Sequence, residues 1–179
     1  IYNERGLGNY GQGKTLAVFE LSGYTKPDIT VYEQGMISPT ENVPIDDINV
    51  DGGPVSPTIC GPTEPDYCNA PDYSGDIEVE ADIEQQIAVA PYINKILVYN
   101  APNDFNGSGV LDEYYQIASD DTADSISSSW GTCEADAGTV FAEIEQGAFQ
   151  QMALQGQTIF AASGDTGAFG CLRGSGNTY

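Results

Sequence analysis

The chain alternates between short apolar runs rich in β-branched residues and longer segments with helical periodicity, and this alternation limits the folds open to it. Residues 110–118 and 134–154 carry apolar side chains three and four positions apart, which predicts two helices. Four strands are predicted around them, at residues 15–21, 94–99, 123–128 and 157–162. Strands separated by helices pair in parallel through crossover connections, so the sequence predicts an α/β domain with a parallel sheet flanked by helices.

The charge composition excludes several classes of partner and of catalytic unit. The 179 residues include 27 acidic and five basic side chains and no histidine, for a formal net charge of -22 at pH 7. Phosphate backbones and anionic lipid surfaces are bound by clustered Lys and Arg, so we expect no nucleic-acid and no membrane partner. Without histidine the chain can hold no Ser-His-Asp or Cys-His unit. Acid–base chemistry in this chain must use carboxyl groups.

The acidity has two interpretations. Eleven Tyr, six Phe and one Trp indicate a folded protein, because disordered acidic chains lack aromatic residues. The carboxylates repel one another at neutral pH and are largely neutralised near about pH 3–4. This fits a secreted protein or one from an acidic compartment of the lysosomal or vacuolar type. The alternative is that the charge only keeps the surface soluble, and composition does not decide between the two.

Residues 37–76 contain seven of the ten prolines and are predicted to be a long loop region, with one strand at residues 45–50. The length suits one domain. No basic and apolar leader opens the sequence, so we expect a mature soluble protein whose targeting segment has been removed.

The four cysteines have no CxxC spacing, which disfavours a zinc site and favours two disulfides in an oxidising compartment. Cys60 and Cys68 flank a short loop and favour a local bridge, which would leave Cys133 and Cys171 to pair. Four cysteines allow three connectivities, so the pairing stays open.

Acidic residues occupy every second position from Asp76 to Glu84, in the segment GDIEVEADIEQQIAVAP. The alternation is typical of an edge strand with one solvated, charged face. A helix is the competing interpretation, since apolar residues continue at helical spacing. On a helix, Glu78 and Asp82 are four residues apart on one face, where two carboxyl groups cannot both ionise cheaply. Such a pair can accept and relay a proton.

Two further segments follow predicted strands. SGDTG, at residues 163–167, places Asp165 between glycines at a strand's carboxyl end, where ligands of parallel sheets bind. The alternative is an aspartate that only closes a turn. SSSWG, at residues 127–131, contains the chain's single tryptophan, Trp130, whose alternative role is packing with a polar handle.

These segments, in this order, resemble the amino-terminal half of the catalytic domain of the sedolisins, the serine-carboxyl peptidases. The resemblance rests on EVEADIE with AVAP and NKILVYNAPN after it, on SISSSWG, on SGDTG and on VFELSG, and it spans roughly residues 10–170. It implies a subtilisin-like parallel sheet, incomplete in this chain, and a peptidase that works at acid pH. Residues 1–179 would then be the amino-terminal part of one such domain.

The resemblance also implies roles for individual residues. Glu78 resembles the general base that activates a serine nucleophile, and Asp82 the acid that orients it and shares its proton. Asp165 resembles the protonated acid that donates a hydrogen bond to the oxyanion. Glu20 and Trp130 resemble the outer members of the hydrogen-bond chain that supports Asp82.

Substrate contacts follow from the same resemblance. Ser129 and Gly131 would align an extended peptide or protein substrate through their backbone, and Ser163 and Gly164 would lie beside it. The family's nucleophile lies in a downstream GTSxxxP-type segment that is missing from this sequence, as is the half that carries the family's Ca²⁺ site. We therefore expect no metal site and no cofactor in this chain, and a second polypeptide chain that carries the catalytic Ser.

A non-catalytic interpretation of the sequence remains open. The chain could be a secreted acidic α/β binding module whose clustered carboxylates bind a cation such as Ca²⁺.

Overall fold

The computed structural model describes residues 8–37, 42–54, 75–103, 107–165 and 167. The strands are β1 (Thr15–Glu20), β2 (Ile45–Asn49), β3 (Lys95–Asn100), β4 (Ser125–Ser128) and β5 (Thr158–Ala161). The helices are α1 (Lys26–Tyr32), continued by a π-helical segment (Glu33–Ile37), α2 (Gly75–Val89), α3 (Ser108–Asp120), α4 (Glu134–Ala137) and α5 (Thr139–Gln155).

The five strands form one parallel sheet in the order β2-β3-β1-β4-β5. Strand β1 lies at the centre, with β3 and β4 on its two sides. Helices follow β1, β2, β3 and β4, as the crossover rule for parallel strands requires. The predicted α/β class with a helix-flanked parallel sheet is confirmed.

Side chains of β1 alternate between two hydrophobic layers. Phe19 packs in one layer with residues of α3 and α5, where its ring stacks on Tyr114 with a centroid distance of 4.1 Å. Val18 packs in the other layer, against Val79 and Ile83 of α2. The sheet is therefore covered by α1 and α2 on one face and by α3 and α5 on the other.

The register of the strands brings several polar groups to one edge of the sheet. Glu20, at the carboxyl end of β1, pairs with Asn100 of β3, and Phe19 pairs with Ser128, the last residue of β4. The loops that follow β1, β3 and β4 therefore leave the same edge at the same height. Ligands of parallel sheets bind at this edge.

The acidic segment after residue 74 is a helix, so the helical interpretation is correct and the edge-strand interpretation is wrong. Val79, Ile83 and Ile87 are fully buried at a spacing of four residues, whereas Ile77 is 65% exposed. A strand would have buried Ile77 and Val79 on the same face. The spacing of four residues places these three buried side chains on one face of the helix, the face that packs against the sheet.

One helix prediction needs correction, and one helix was not predicted. The single helix predicted at residues 134–154 is divided at Gly138, whose φ of +82° breaks the helix between α4 and α5. Within α5, Val140 is 69% exposed, and the buried residues are Ala148 and Met152. Helix α1 is absent from the sequence prediction, although a proline in its first turn is a start signal.

The strand predicted at residues 45–50 is confirmed as β2. Residues 38–41 and 55–74 of the predicted loop region lie outside the described residues. No helix in the described part of the chain is both long enough and apolar enough to cross a membrane.

Candidate active site

Helix α2 presents an acid pair at the carboxyl edge of the sheet. Glu78 and Asp82 are one helical turn apart, between the buried positions Val79 and Ile83 that anchor the helix. Glu78 is exposed and Asp82 is partly buried. The two carboxyl groups thus share one face but differ in their access to water, a difference that separates the roles of paired acids.

The Asp82 carboxyl group is held in a poorly solvated position. Ser129 donates its hydroxyl hydrogen bond to Asp82 Oδ1 at 2.9 Å. Oδ2 is buried and has no hydrogen-bond partner among the described residues. Burial raises the pKa of Asp82, the Ser129 bond lowers it, and the charge of nearby Glu78 raises it again. Desolvation has the largest effect, so Asp82 keeps its proton to higher pH than an ordinary aspartate.

Glu20 lies beneath the acid pair, wholly buried at the end of β1. Trp130 donates its indole N–H to Glu20 Oε2 at 2.7 Å, and Glu20 Oε1 is buried without a partner. The pKa of Glu20 is raised to about 9: burial has the largest effect, the Trp130 bond opposes it, and the charges of Asp82 and Glu78 add to it. These charge effects place Glu20, Asp82 and Glu78 in one electrostatic group.

A second buried carboxyl group, Glu113 on α3, completes this group and is absent from the sequence prediction. Its Oε1 accepts the backbone N–H of Glu20 at 2.9 Å. The pKa of Glu113 is raised to about 9: burial has the largest effect, the hydrogen bond from the Glu20 backbone opposes it, and the charge of Glu20 adds to it. A signal existed in the sequence: Glu113 lies one turn before Ile117, on the apolar face of its helix. A carboxyl group on such a face is rarely buried unless it is hydrogen-bonded.

Asp165 lies on the loop after β5, exposed to solvent, together with Ser163 and Gly164. Gly164 has a φ of +79°, a conformation that favours glycine, so the turn depends on this residue. Strand β5 is next to β4, so this loop and the segment Ser129–Gly131 leave neighbouring strands at the same edge. The predicted site residues are therefore gathered along one edge of the sheet, with Asp165 towards its end.

A pocket of about 390 Å³ opens beside the indole of Trp130. Its walls come from β1, from the start of α3, and from α4 and α5. Phe19, Tyr114 and Phe141 supply apolar surface, and Glu145 supplies a carboxyl group. The pocket lies on the opposite face of the sheet from the acid pair on α2.

Most of the cysteines in the predicted disulfides lie outside the described residues. Cys60, Cys68 and Cys171 are not among the described residues, and no described cysteine is free. The pairing of Cys133 stays a prediction. Among the residues that the structure describes, no group of three or more acidic or cysteine side chains is arranged to hold a metal ion.

Comparison with known proteins identifies relatives of this chain. No family model matches it. Sedolisin of Pseudomonas sp. (strain 101) is 29% identical over 203 residues, which cover 97% of this chain and 34% of that protein. Kumamolisin of Bacillus sp. (strain MN-32) is 34% identical over 163 residues, which cover 88% of this chain and 26% of that protein. The chain thus spans about a third or less of the curated relatives that it matches.

A solved structure has the same fold. Pseudomonas sedolisin, described as a serine-carboxyl proteinase in complex with two molecules of pseudo-iodotyrostatin, superposes with a TM-score of 0.68 at 25% sequence identity. The match covers 88% of this chain and 40% of that one. Sequence and structure agree: over the part that it spans, this chain has the subtilisin-like α/β fold of the sedolisins and is related to that peptidase family.

Proposed function

We propose that this chain supplies the acid–base pair and the oxyanion acid of a serine-carboxyl peptidase that hydrolyses peptide bonds at acid pH. The observation that carries the proposal is the group formed by Glu78, Asp82 and Glu20 at the carboxyl edge of the sheet, in a relative of the sedolisins. The charges of its members affect one another, and burial increases from the exposed Glu78 to the fully buried Glu20.

The proposed reaction proceeds through an acyl-enzyme. Glu78, as the exposed carboxylate, takes the hydroxyl proton of a serine while the serine oxygen bonds to the carbonyl carbon of the scissile peptide. Asp165, in its protonated form, donates a hydrogen bond to the resulting oxyanion. Glu78 then gives the proton to the amine as the scissile C–N bond breaks. In the second half, Glu78 takes a proton from water as the water oxygen bonds to the acyl carbon, and it gives that proton to the serine oxygen as the acyl–serine bond breaks.

Acid pH suits the roles proposed for Asp82 and for the oxyanion donor. Asp82 has a raised pKa, so it retains a proton that it can donate to Glu78 and thereby orient the base. An oxyanion donor made from a carboxyl group must be neutral, and acid pH keeps it so. The same conditions relieve the repulsion among the chain's 27 acidic residues.

Substrate recognition is proposed along the loops after β4 and β5. The segment Ser129–Gly131 would pair with an extended peptide or protein substrate through backbone hydrogen bonds. Ser163 and Gly164 would face the same substrate from the neighbouring loop. The Ser129 side chain is already engaged with Asp82 at 2.9 Å, so substrate alignment there depends on the backbone.

The serine nucleophile is proposed to come from a partner chain. On the edge strand β5 and the helix before it, Phe160 is 61% and Leu154 90% exposed, which supports a protein surface that covers this side. The Ca²⁺ site expected from the resemblance would belong to that partner. Intact mass spectrometry of denatured native material tests this point: a second chain with a Gly-Thr-Ser segment supports it, and one longer polypeptide with that segment overturns it.

The catalytic proposal is tested by Glu78→Gln in the native protein. Loss of the general base is expected to lower kcat/KM for peptide hydrolysis at acid pH by about 10²-fold or more. Glu84→Gln is the matched control, because Glu84 lies on α2 but is coupled to Asp28 and not to Asp82. Unchanged turnover in Glu78→Gln, with a change in Ca²⁺ affinity alone, would support the binding-module alternative.

A further inference from the structure

The pocket beside Trp130 adjoins the segment proposed to align the substrate. Gly131, which belongs to that segment, forms part of the pocket wall, and Thr132 continues the wall. The volume of about 390 Å³ is within the range of about 300–1,000 Å³ for pockets that take a small ligand. An extended substrate held at Gly131 therefore passes the mouth of this pocket.

The inner lining of the pocket is aromatic and closely packed. Phe19 and Tyr114 are buried and stack with a centroid distance of 4.1 Å, and Phe149 meets the Tyr114 ring edge-on at 4.9 Å. On one side the ring of Phe141 packs against the start of α3, where a Cβ atom at Gly107 would lie 2.6 Å from it. Aromatic rings prefer stacked or edge-to-face contact with one another, so this lining favours an aromatic ligand.

The polar atoms of the aromatic lining are already hydrogen-bonded. Tyr114 donates its hydroxyl to Ser128 Oγ at 3.2 Å, and Trp130 donates its indole N–H to Glu20 at 2.7 Å. These two donors face groups of the protein that lie outside the pocket lining. A polar contact to a bound ligand therefore has to come from another lining residue.

Glu145 of α5 supplies a carboxyl group to the inner part of the pocket. It is half-buried, whereas the other polar side chains of the lining, those of Asn103, Thr132 and Asp136, are exposed. After burial, the charge of Glu145 raises the pKa of Tyr114, which places the carboxyl group near that ring. Among the described residues, Glu145 accepts no hydrogen bond and forms no ion pair. A ligand with a hydroxyl group beside an aromatic ring would provide its partner.

The pocket lies some distance along the sheet edge from the proposed oxyanion donor. Asp165 follows β5, whereas the pocket lies beside the ends of β1 and β3. In the sheet order β1 and β5 are two strand spacings apart, which is roughly 10 Å at about 4.8 Å for each spacing. An extended peptide advances about 3.3 Å with each residue, so the distance corresponds to about three residues.

We propose that this pocket binds a tyrosine side chain of the peptide substrate, about three residues from the scissile bond, and that Glu145 selects it by a hydrogen bond to the phenol hydroxyl. The inference rests on the proposed function, because it names a feature of the substrate for the same site. An ionised Glu145 accepts the phenol hydrogen, and a neutral one accepts it through its carbonyl oxygen. Recognition of tyrosine is therefore retained at acid pH.

A lysine or arginine side chain is the competing occupant of an acidic, aromatic pocket. Its attraction to Glu145 requires the ionised carboxylate, and burial raises the pKa of Glu145. Acid pH thus weakens the ion pair with a basic side chain and leaves the hydrogen bond to a phenol. This difference favours tyrosine under the conditions of the proposed reaction.

The substrate preference of the native protein tests the proposal. Peptides that carry Tyr, Phe, Leu or Lys at successive positions on either side of the scissile bond are compared by kcat/KM at acid pH. At one position removed from the scissile bond, Tyr is expected to exceed Phe by about 3- to 10-fold, the effect of one hydrogen bond. Equal values for Tyr and Phe at every such position, or a preference for Lys, overturn the proposal.

Substitutions on α5 assign the preference to Glu145. Glu145→Leu is expected to remove the difference between the Tyr and Phe peptides, and Glu145→Gln, whose amide oxygen also accepts a phenol hydrogen, is expected to keep it. Glu143→Leu is the matched control, because Glu143 is an exposed acid on the same helix and lies outside the pocket lining. A preference for Tyr that survives in Glu145→Leu overturns the role of Glu145.

A binding measurement separates this inference from the proposed function. Trp130 lines the pocket, so its indole ¹⁵N–¹H resonance reports occupancy in native protein with labelled indole, where Trp130→Phe assigns the signal. N-acetyl-tyrosine amide is expected to shift this resonance with a Kd about 3- to 10-fold below that of N-acetyl-phenylalanine amide. In Glu145→Leu the two Kd values are expected to be equal.

The two measurements fail independently. Selective binding of the tyrosine probe without any peptide turnover contradicts the proposed function and supports the pocket assignment. Peptide turnover with no preference for Tyr, or an indole resonance that neither probe shifts, contradicts the pocket assignment. If Glu145→Leu does not fold, the comparison of the two probes in the unsubstituted protein decides, and equal Kd values there overturn the proposal.

Discussion

Ser129 shows how one hydroxyl group modifies the acid pair. Its hydrogen bond to Asp82 Oδ1 opposes the effect of burial on the Asp82 carboxyl group. A donor favours the ionised form of an acid, and burial favours the neutral form. The proton affinity of Asp82 is thus a balance between its position on α2 and a contact from the loop after β4.

Ser129→Ala is expected to raise the pKa of Asp82, because the side-chain donor is lost and Oδ1 stays in a partly buried position. The measurement is the pH titration of the Asp82 carboxyl ¹³C resonance in the native protein. Ser127→Ala, within β4, is the control and is expected to leave the titration unchanged. A lower pKa in Ser129→Ala would contradict the assigned balance.

The two acids on α2 could be predicted from sequence because they lie four residues apart in one segment. Glu113 could not be found in this way, since its partner Glu20 is 93 positions away and only the fold brings them together. The same limit applies to the bond between Trp130 and Glu20, which are 110 positions apart. For these two residues the family resemblance, and not the local pattern, supplied the expectation.

Helix α2 begins in close contact with the segments that it supports. A Cβ atom at Gly75 would lie 2.7 Å from Ser22 Cβ and Oγ and 3.3 Å from Trp130 Cη2. Glycine therefore lets the first turn of α2 approach the loop after β1 and the indole. This approach sets the position of Glu78 and Asp82, which lie on the next turns of the same helix.

Gly75→Ala is expected to destabilise the protein by about 1–3 kcal/mol, the usual range for overpacking, because the Ser22 Cβ atom lies 2.7 Å from the added methyl group and can move away only with its backbone. Gly35→Ala is the matched control: Gly35 is also in a helical segment, and a Cβ there meets no atom within 4 Å. It is expected to be neutral or stabilising by up to about 1 kcal/mol. Urea unfolding of both variants makes the comparison, and equal effects would contradict the packing assignment.

The alternation of acids left the nature of α2 open, and tertiary packing decided it. Both interpretations bury Val79 and Ile83, so these residues do not separate them. Ile77 does, since only the helix leaves it 65% exposed. Local periodicity over the nine residues from Asp76 to Glu84 is too short to distinguish the two interpretations. The packing of the segment against the sheet distinguishes them.

Across the whole molecule, the buried acids and the large negative charge both lower the free energy of unfolding as pH rises. Below the unfolded pKa of about 4.5, Glu20 and Glu113 are protonated in both states and do not oppose folding. As pH rises from there towards about 9, the unfolded chain ionises first, so the free energy of unfolding falls. Asp124 has the opposite dependence, because Lys14 lowers its pKa, but that ion pair is largely exposed and contributes little.

We expect the native protein to be more stable at pH 4.5 than at pH 7, and Glu113→Gln to reduce this difference. Glutamine has the shape of the neutral acid, so stability at pH 4.5 should change little. At pH 7 the unfolded chain of the variant can no longer be stabilised by ionisation at this position. That stabilisation is on the order of 3 kcal/mol per buried acid. Urea unfolding at both pH values measures the difference, with Glu143→Gln, an exposed acid on α5, as the control. Equal pH dependence in Glu113→Gln and the unsubstituted protein would show that Glu113 is already ionised in the folded state at pH 7.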